Sequence, residues 1–258
     1  MKKSMKGCSI LAGVMCVATT GCMMTGSYHS AKTLEPGTSN FGLTFGVNQI
    51  QIDSTSVSFP NPIPELTFHT GIAENMEVGG RIAIGSLGLE GDFKYRFLHA
   101  GKLHLAMVPA IGYQGFLVMK GLTFSLPMVG TLELSKHFAL TAALFGRYAN
   151  YSSSDSSVNA AVQNIVGDAV MFGGAFGPDI CGETFFFRPT IEFARVNPVS
   201  GGEWSGWNRM SVAVHLGWII GREKQQLDRI EKKIDKMDNS GGSSEQKKTE
   251  TEKTDAEK

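Results

Sequence analysis

Cys22, Glu90 and Asp92 are the residues of this sequence whose reactive groups and positions first suggest chemistry. Cys22 ends a stretch of apolar and small residues, and its thiol is a potential nucleophile. Glu90 and Asp92 stand two positions apart, which on an extended chain places both carboxylates on one face, as general acid–base catalysis requires. The six histidines are scattered without the short spacings of metal ligands, so the sequence predicts no metal site.

The carboxylate pair is better explained as part of a charge ladder. Lys94 and Arg96 continue the face of Glu90 and Asp92, so opposite charges follow one another along it. The serine-rich residues 152–157 are typical of an exposed loop tip, and nothing local assembles the serine–histidine pair that a barrel hydrolase needs. The sequence therefore predicts neither an enzyme nor a bound cofactor.

The N-terminus has the plan of a secretory signal peptide over residues 1–21, with a basic start and an apolar stretch too short to span a membrane. The run Ala18-Thr19-Thr20-Gly21-Cys22 resembles a bacterial lipobox, with Thr19 where Leu or Val is usual. The resemblance implies cleavage before Cys22 and acylation of its thiol and its freed amine. Residues 22–38 are then a lipidated spacer. The alternative is an ordinary signal peptide that contains a cysteine.

Charge is distributed unevenly, although the 24 basic and 24 acidic residues balance. Residues 39–221 contain 10 Lys/Arg and 13 Asp/Glu, whereas the much shorter stretch 222–258 contains 10 of each. A body this poor in charge is unusual for a soluble domain. Neutral balance and scattered basic residues favour no nucleic-acid partner.

The body alternates between apolar and polar residues with a period of two, which indicates β-strands that have one apolar face. In residues 89–97, Leu89, Phe93 and Tyr95 share one face, and Glu90 and Lys94 share the other. The same alternation marks ten candidate strands, at residues 40–48, 65–72, 76–84, 89–97, 103–113, 122–134, 138–148, 169–176, 185–193 and 209–220. Most are long enough to cross a bilayer when tilted, and an even number suits a closed antiparallel barrel.

The connections between these strands alternate in length. Those after the even-numbered strands are short, whereas residues 49–64, 115–121, 149–168 and 194–208 form longer odd-numbered connections. Short turns on one rim and long loops on the other are typical of outer-membrane barrels. Both termini then lie on the short-turn side, which is periplasmic in such proteins.

Residues 70–81 and 131–144 look like the strand–turn–strand hairpins found in many bacterial outer-membrane β-barrels. The end of the last strand, residues 215–220, partly resembles the C-terminal signal of that class, without its terminal aromatic residue. The resemblance covers residues 39–221. It implies a closed antiparallel transmembrane β-barrel in the outer membrane of a diderm bacterium, in contact with membrane lipid.

Small residues on the polar faces, the low charge of the body and aromatic residues near strand ends favour a barrel whose apolar faces point outward. The polar faces then line the lumen, and its predicted charged residues are Glu77, Arg81, Glu90, Asp92, Lys94, Arg96, Arg147, Arg188, Glu192 and Arg209. The alternative is a soluble, lipid-anchored barrel that binds an apolar ligand inside.

The charged C-terminal region is predicted to be a periplasmic helix over residues 222–238, followed by a disordered tail over residues 239–258. Leu227, Ile230, Ile234 and Met237 recur at helical spacing and form a narrow apolar stripe. This stripe is a candidate surface for a periplasmic protein partner. The predicted function is a structural or interaction role in the cell envelope, with a narrow channel for small polar solutes as the alternative.

Overall fold

The structure is a computed structural model that describes residues 29–52, 55–84, 88–116, 119–153, 168–199 and 207–221. The strands are β1 (Ser39–Ile52), β2 (Thr55–Ala73), β3 (Met76–Ala83), β4 (Gly88–Ala100), β5 (Leu103–Met107), β6 (Ala110–Phe116), β7 (Met119–Glu133), β8 (Phe138–Ser153), β9 (Asp168–Cys181), β10 (Phe185–Pro198) and β11 (Trp207–Ile220). No helix among the described residues has the length and hydropathy needed to cross a bilayer.

All the strands belong to one antiparallel sheet that closes on itself. Consecutive strands pair with each other, except that β5 and β6 both pair with β4 and β7, and β1 also pairs with β11. At this closure a side chain at Gly217 would overlap the carbonyl oxygen of Phe41, so the close approach of β11 to β1 requires glycine. A closed sheet leaves no edge strand whose backbone groups lack partners.

β5 and β6 are two parts of a single interrupted strand, since both pair with β4 on one side and β7 on the other. The interruption falls at Val108 and Pro109, where proline has no N–H to donate to a ladder. Bonds still cross it, because Val108 N donates to Pro127 O at 2.9 Å and Phe93 N donates to Pro109 O at 3.0 Å. The barrel therefore has ten strands, which confirms the predicted fold class.

The outer face of the barrel wall is apolar and the inner face is polar, as the alternation of the sequence predicts. Every strand presents large apolar side chains outward; examples are Phe41, Phe68, Ile82, Leu89, Leu103, Ile111, Leu126, Leu144, Phe172, Phe193 and Val212. Buried toward the lumen are polar and charged side chains, among them Glu65, Glu77 and Glu192. The alternative of an apolar interior that holds an apolar ligand is therefore wrong.

The strands extend beyond their predicted boundaries on one side of the barrel. Residues 49–64 were expected to form a long loop, but β1 continues to Ile52 and β2 begins at Thr55. The same occurs at residues 115–121, where β6 ends only at Phe116 and β7 already begins at Met119. The alternation itself continues there, as in Gln49-Ile50-Gln51-Ile52 and Ser56-Val57-Ser58-Phe59, so the predicted loop was in fact the continuation of two strands.

The opposite rim carries the short turns, and we call it the short-turn rim. β2 and β3 are joined there through Glu74 and Asn75, and β4 and β5 through Gly101 and Lys102. Gly101 has a φ of 60°, a left-handed conformation that glycine adopts without strain. The first residue of β1 and the last residue of β11 belong to this rim. We call the rim at the other end of the barrel the long-loop rim.

Candidate functional site in the barrel lumen

The lumen next to the short-turn rim contains a buried ion pair between β3 and β4. The strand register places Glu77 directly opposite Lys94, and Lys94 Nζ lies 2.8 Å from Glu77 Oε1. Both side chains are almost fully buried. A buried charge without a partner costs several kcal/mol, so the register that pairs these residues also makes their burial possible.

A second group of charges lies closer to the long-loop rim. Arg81 faces Glu90 in the register, and Arg81 Nη2 lies 2.8 Å from Glu90 Oε1. Arg81 Nη1 is 3.6 Å from Glu65 Oε2 on β2, so one guanidinium serves two carboxylates. Arg147 on β8 is buried close enough to Glu90 and Arg81 to interact with them electrostatically.

The wall formed by β9, β10 and β11 carries two further pairs. Arg188 Nε lies 2.8 Å from Asp179 Oδ1, and the carboxylate of Glu192 pairs with the guanidinium of Arg209 across β10 and β11. Arg96 differs from the other predicted lumen charges, since it lies half-buried at the short-turn rim and donates from Nε to Asn75 Oδ1 at 3.0 Å. The ion pairs of the lumen therefore connect neighbouring strands at several depths.

Residues 29–38 begin inside the barrel and are exposed at Glu35, Pro36 and Gly37, and we call them the inserted segment. Ser30 and Ala31 are fully buried, although they precede the first strand. Ala31 N donates to Thr131 Oγ1 at 2.8 Å on β7, three strands around the barrel from β3. The Ser30 side chain also lies close enough to Asp179 on β9 to interact with its carboxylate. The segment thus crosses the lumen and contacts several walls.

The charged groups of the short-turn half hold this segment in place. Leu34 N donates to Glu77 Oε2 at 3.0 Å, so both oxygens of Glu77 are used. Lys94 Nζ donates to Lys32 O at 3.3 Å. The Lys32 side chain in turn lies 2.7 Å from Glu133 Oε1 at the end of β7. The lumen ion pairs therefore have a second role as anchors for residues 29–38.

Two histidines and one aspartate meet where the inserted segment reaches deepest. His69 Nε2 lies 3.1 Å from Asp92 Oδ2, and His29 Nε2 lies 3.9 Å from the same oxygen. The imidazole rings of His29 and His69 are arranged edge-to-face with centroids 5.0 Å apart. One ligand atom from each of the three residues lies within 4.8 Å of the other two, a spacing compatible with a metal ion.

Sequence reasoning missed this cluster. Asp92 was predicted as a lumen charge, His69 was placed on a polar strand face, and His29 was assigned to the spacer over residues 22–38. The only available signal was the shared inward face of His69 and Asp92. Nothing local in the sequence places His29 inside the barrel, because residues 29–38 have no periodic pattern.

Several predicted features lie outside the described residues. They are the signal peptide, Cys22 with residues 22–28 of the spacer, the C-terminal stripe of Leu227, Ile230, Ile234 and Met237, and the tail over residues 239–258. The described part of the spacer is the inserted segment. Cys181 is the last residue of β9, and its thiol donates to Gly182 O at 3.5 Å.

No protein-family model and no curated protein matches the chain. Solved structures that resemble it include the attachment invasion locus protein Ail of Yersinia pestis, at 10% identity, 72% coverage of this chain, 99% of that chain and a TM-score of 0.33. The outer-membrane protease OmpT of Escherichia coli is 10% identical, with 74% of this chain and 99% of that chain covered and a TM-score of 0.37. The outer-membrane protein OprG of Pseudomonas aeruginosa is 15% identical, with 73% of this chain and 98% of that chain covered and a TM-score of 0.31. All three are bacterial outer-membrane β-barrels.

Proposed function

We propose that this protein is an outer-membrane barrel with a structural or interaction role in the cell envelope, and that its lumen is closed at rest. The observation that carries the proposal is the inserted segment, which occupies the lumen next to the short-turn rim and bonds to several walls. No catalytic reaction forms part of the proposal.

The outer face supports placement in a membrane. Leu144 and Phe172 are 73% and 60% exposed, and large apolar side chains surround the barrel on every strand. A soluble monomer rarely exposes apolar area on this scale. In hydrocarbon the same side chains need no cover, and the closed backbone ladder satisfies the polar groups that lipid cannot. The short-turn rim, with both ends of the barrel, is assigned to the periplasm.

Lipidation at Cys22 is retained as part of the proposal, and the inserted segment constrains it. Seven peptide units separate Cys22 from His29, and an extended chain spans at most about 3.6 Å per residue. Cys22 therefore lies within about 25 Å of a residue inside the lumen. Intact-mass analysis of the purified protein tests acylation, which we expect to disappear in Cys22→Ala.

Membrane residence and closure are tested on the same preparation. We expect the protein in the outer-membrane fraction, with a gel mobility that changes on boiling. We expect no steady conductance after reconstitution in planar bilayers, because residues 29–38 occupy the lumen. A protein that is folded and monodisperse in buffer without detergent would contradict the outward orientation of the apolar face.

A narrow, gated pathway for small polar solutes is the second candidate. The observation that favours it is the long-loop half of the lumen, where Glu90 Oε2, Glu192 Oε2 and Thr123 Oγ1 are buried but have no hydrogen-bond partner among the described residues. Buried polar atoms of this kind are usually satisfied by water. A hydrated half above a closed half is the arrangement of a gated conduit.

The two candidates differ in what happens when the segment is loosened. The double variant E77Q/T131V weakens the bond from Leu34 N–H and removes the acceptor of Ala31 N–H, two of the contacts that hold the segment to the wall. If residues 29–38 are a gate, this variant conducts whereas the wild type does not, and adding Arg81→Met changes its ion selectivity. If closure is permanent, none of these variants conducts, and the structural role remains.

The predicted C-terminal stripe gives the interaction role a specific test. A periplasmic partner that docks on residues 222–238 is expected to co-purify with the wild type. The partner should no longer co-purify with I230E/I234E, since both residues belong to the stripe. The control variant K232A/K233A changes residues of the same region outside the stripe and should retain the partner.

A further inference from the structure

We propose that His29, His69 and Asp92 form a binding site for a divalent transition-metal ion, Zn²⁺ in the first instance, which links the inserted segment to the barrel wall. The site requires the barrel and residues 29–38 to be arranged as described. It depends neither on the location of the protein nor on whether the lumen conducts.

The wall part of the site is built by strand register. Asn40, His69, Gly79 and Asp92 lie side by side at one level on β1, β2, β3 and β4. Gly79 stands between His69 and Asp92, and a Cβ atom there would overlap the His69 ring. Glycine at this position therefore lets the imidazole cross β3 and reach the carboxylate two strands away.

Both nitrogens of His69 face acceptors. Nδ1 lies 3.3 Å from Asn40 Oδ1 and Nε2 lies 3.1 Å from Asp92 Oδ2. Since an amide oxygen and a carboxylate only accept, the ring satisfies both contacts only if a proton or another cation occupies Nε2. Metal-bound histidines commonly donate their second N–H to a carbonyl or carboxylate, which is the role that Asn40 fits.

Asp92 has an unused acceptor at the same place. Its side chain is only 3% exposed, and its Oδ1 accepts no hydrogen bond from a described residue. Lys94, the nearest lumen cation on the same strand, is already bonded to Glu77 at 2.8 Å. A buried carboxylate with a free oxygen and two imidazoles beside it is a typical partner for a metal ion.

The distances suit Zn²⁺ in particular. Zinc binds nitrogen and carboxylate oxygen at about 2.0 to 2.2 Å in a tetrahedron, which places ligand atoms about 3.4 Å apart. The observed separations are 3.1 Å for His69 and 3.9 Å for His29, each measured to Asp92 Oδ2. The ligand atoms of the two histidines lie within 4.8 Å of each other, so side-chain shifts of up to about 1.4 Å complete the geometry, and water takes the fourth position. Imidazole favours Zn²⁺ over the oxygen-seeking ions Mg²⁺ and Ca²⁺.

Metal titration of the full-length protein, folded in detergent and stripped with EDTA, tests the site. We expect one Zn²⁺ per chain by calorimetry and elemental analysis, and no heat from Mg²⁺. His29→Ala, His69→Ala, Asp92→Asn and Gly79→Ala should each weaken binding at least tenfold. His137→Ala, which removes an exposed histidine of the short-turn rim, is the control and should bind as the wild type does.

A second measurement separates loss of the site from loss of the fold. Zn²⁺ ties residue 29 to β2 and β4, so it should slow tryptic cleavage after Lys32 at least fivefold in the wild type. The slowing should be absent in His29→Ala, which alters no strand residue. The proposal is overturned if the wild type binds Zn²⁺ no more tightly than H29A/H69A. It is also overturned if Zn²⁺ protects Lys32 equally in His29→Ala.

Discussion

The two halves of the lumen are filled in different ways. Next to the short-turn rim, Glu77 uses both oxygens, one for Lys94 and one for the Leu34 N–H of the inserted segment. Toward the long-loop rim, Glu90 and Glu192 each pair with an arginine through one oxygen, and their Oε2 atoms have no hydrogen-bond partner among the described residues.

The difference follows from what occupies each half. A peptide segment brings N–H and C=O groups at fixed spacing, so it can satisfy wall groups that side chains do not reach. Charged side chains alone can neutralise one another, but they leave lone pairs that require water. We infer that closure of the barrel resides in the short-turn half, and that the ion pairs of the long-loop half stabilise the wall.

The largest effect is expected at Arg81, in the long-loop half. Arg81→Met leaves Glu65 and Glu90 buried without their shared cation, and we expect a loss of about 3 kcal/mol in the free energy of unfolding. Denaturant titration followed by boiling-sensitive gel mobility measures it. The triple variant E65Q/R81M/E90Q should recover most of the loss. A loss below about 1 kcal/mol would mean that water already screens these carboxylates.

A smaller effect on stability, with a local consequence, is expected at Glu77. Glu77→Gln removes the charge that holds Lys94 and weakens the bond from Leu34 N–H, at a cost of about 2 kcal/mol. The inserted segment should open more often, so tryptic cleavage after Lys32 should become at least tenfold faster. Glu90→Gln is the matched control, since Glu90 does not bond to the segment, and cleavage should be unchanged there. Equal acceleration in both variants would contradict the separation of the two halves.

Thr131 and Thr123 allow the two halves of the lumen to be compared within one strand. Both are buried on β7, but Thr131 Oγ1 accepts from Ala31 N, whereas Thr123 Oγ1 has no partner among the described residues. Thr131→Val should lower the free energy of unfolding by about 1 kcal/mol, because the Ala31 N–H loses its acceptor. Thr123→Val should leave it unchanged or raise it. The reverse order of the two variants would show that the hydroxyl of Thr123 is the better satisfied one.

The smallest effect is expected outside the lumen. Lys136 and Glu183 form a pair at 3.4 Å on the short-turn rim, with both side chains mostly exposed. Lys136→Ala should change the free energy of unfolding by about 0.5 kcal/mol or less, because water and salt screen the pair. A change as large as that of Glu77→Gln would indicate that the rim contributes to closure.

Local sequence was sufficient to predict the wall. Alternation at period two identified the ten strands and the face of each that carries charge, since neighbouring side chains on a strand point to opposite sides whatever the tertiary context. The charges at Glu77, Arg81, Glu90 and Lys94 were placed on inward faces by the same argument. The full lengths of the strands were not predicted, because residues 49–64 were interpreted as one long loop although the alternation continues through Gln49-Ile50-Gln51-Ile52.

Closure of the sheet determined the contents of the lumen. Register decides that Glu77 faces Lys94 and that Arg81 faces Glu90, and register is a relation between strands that no single strand encodes. His29, His69 and Asp92 are far apart in the sequence and meet only because a segment without periodicity enters the closed barrel. Alternation is a property of consecutive residues, whereas lumen filling depends on which walls surround a given depth. The sequence therefore predicts a charged interior, and the fold determines how that interior is closed.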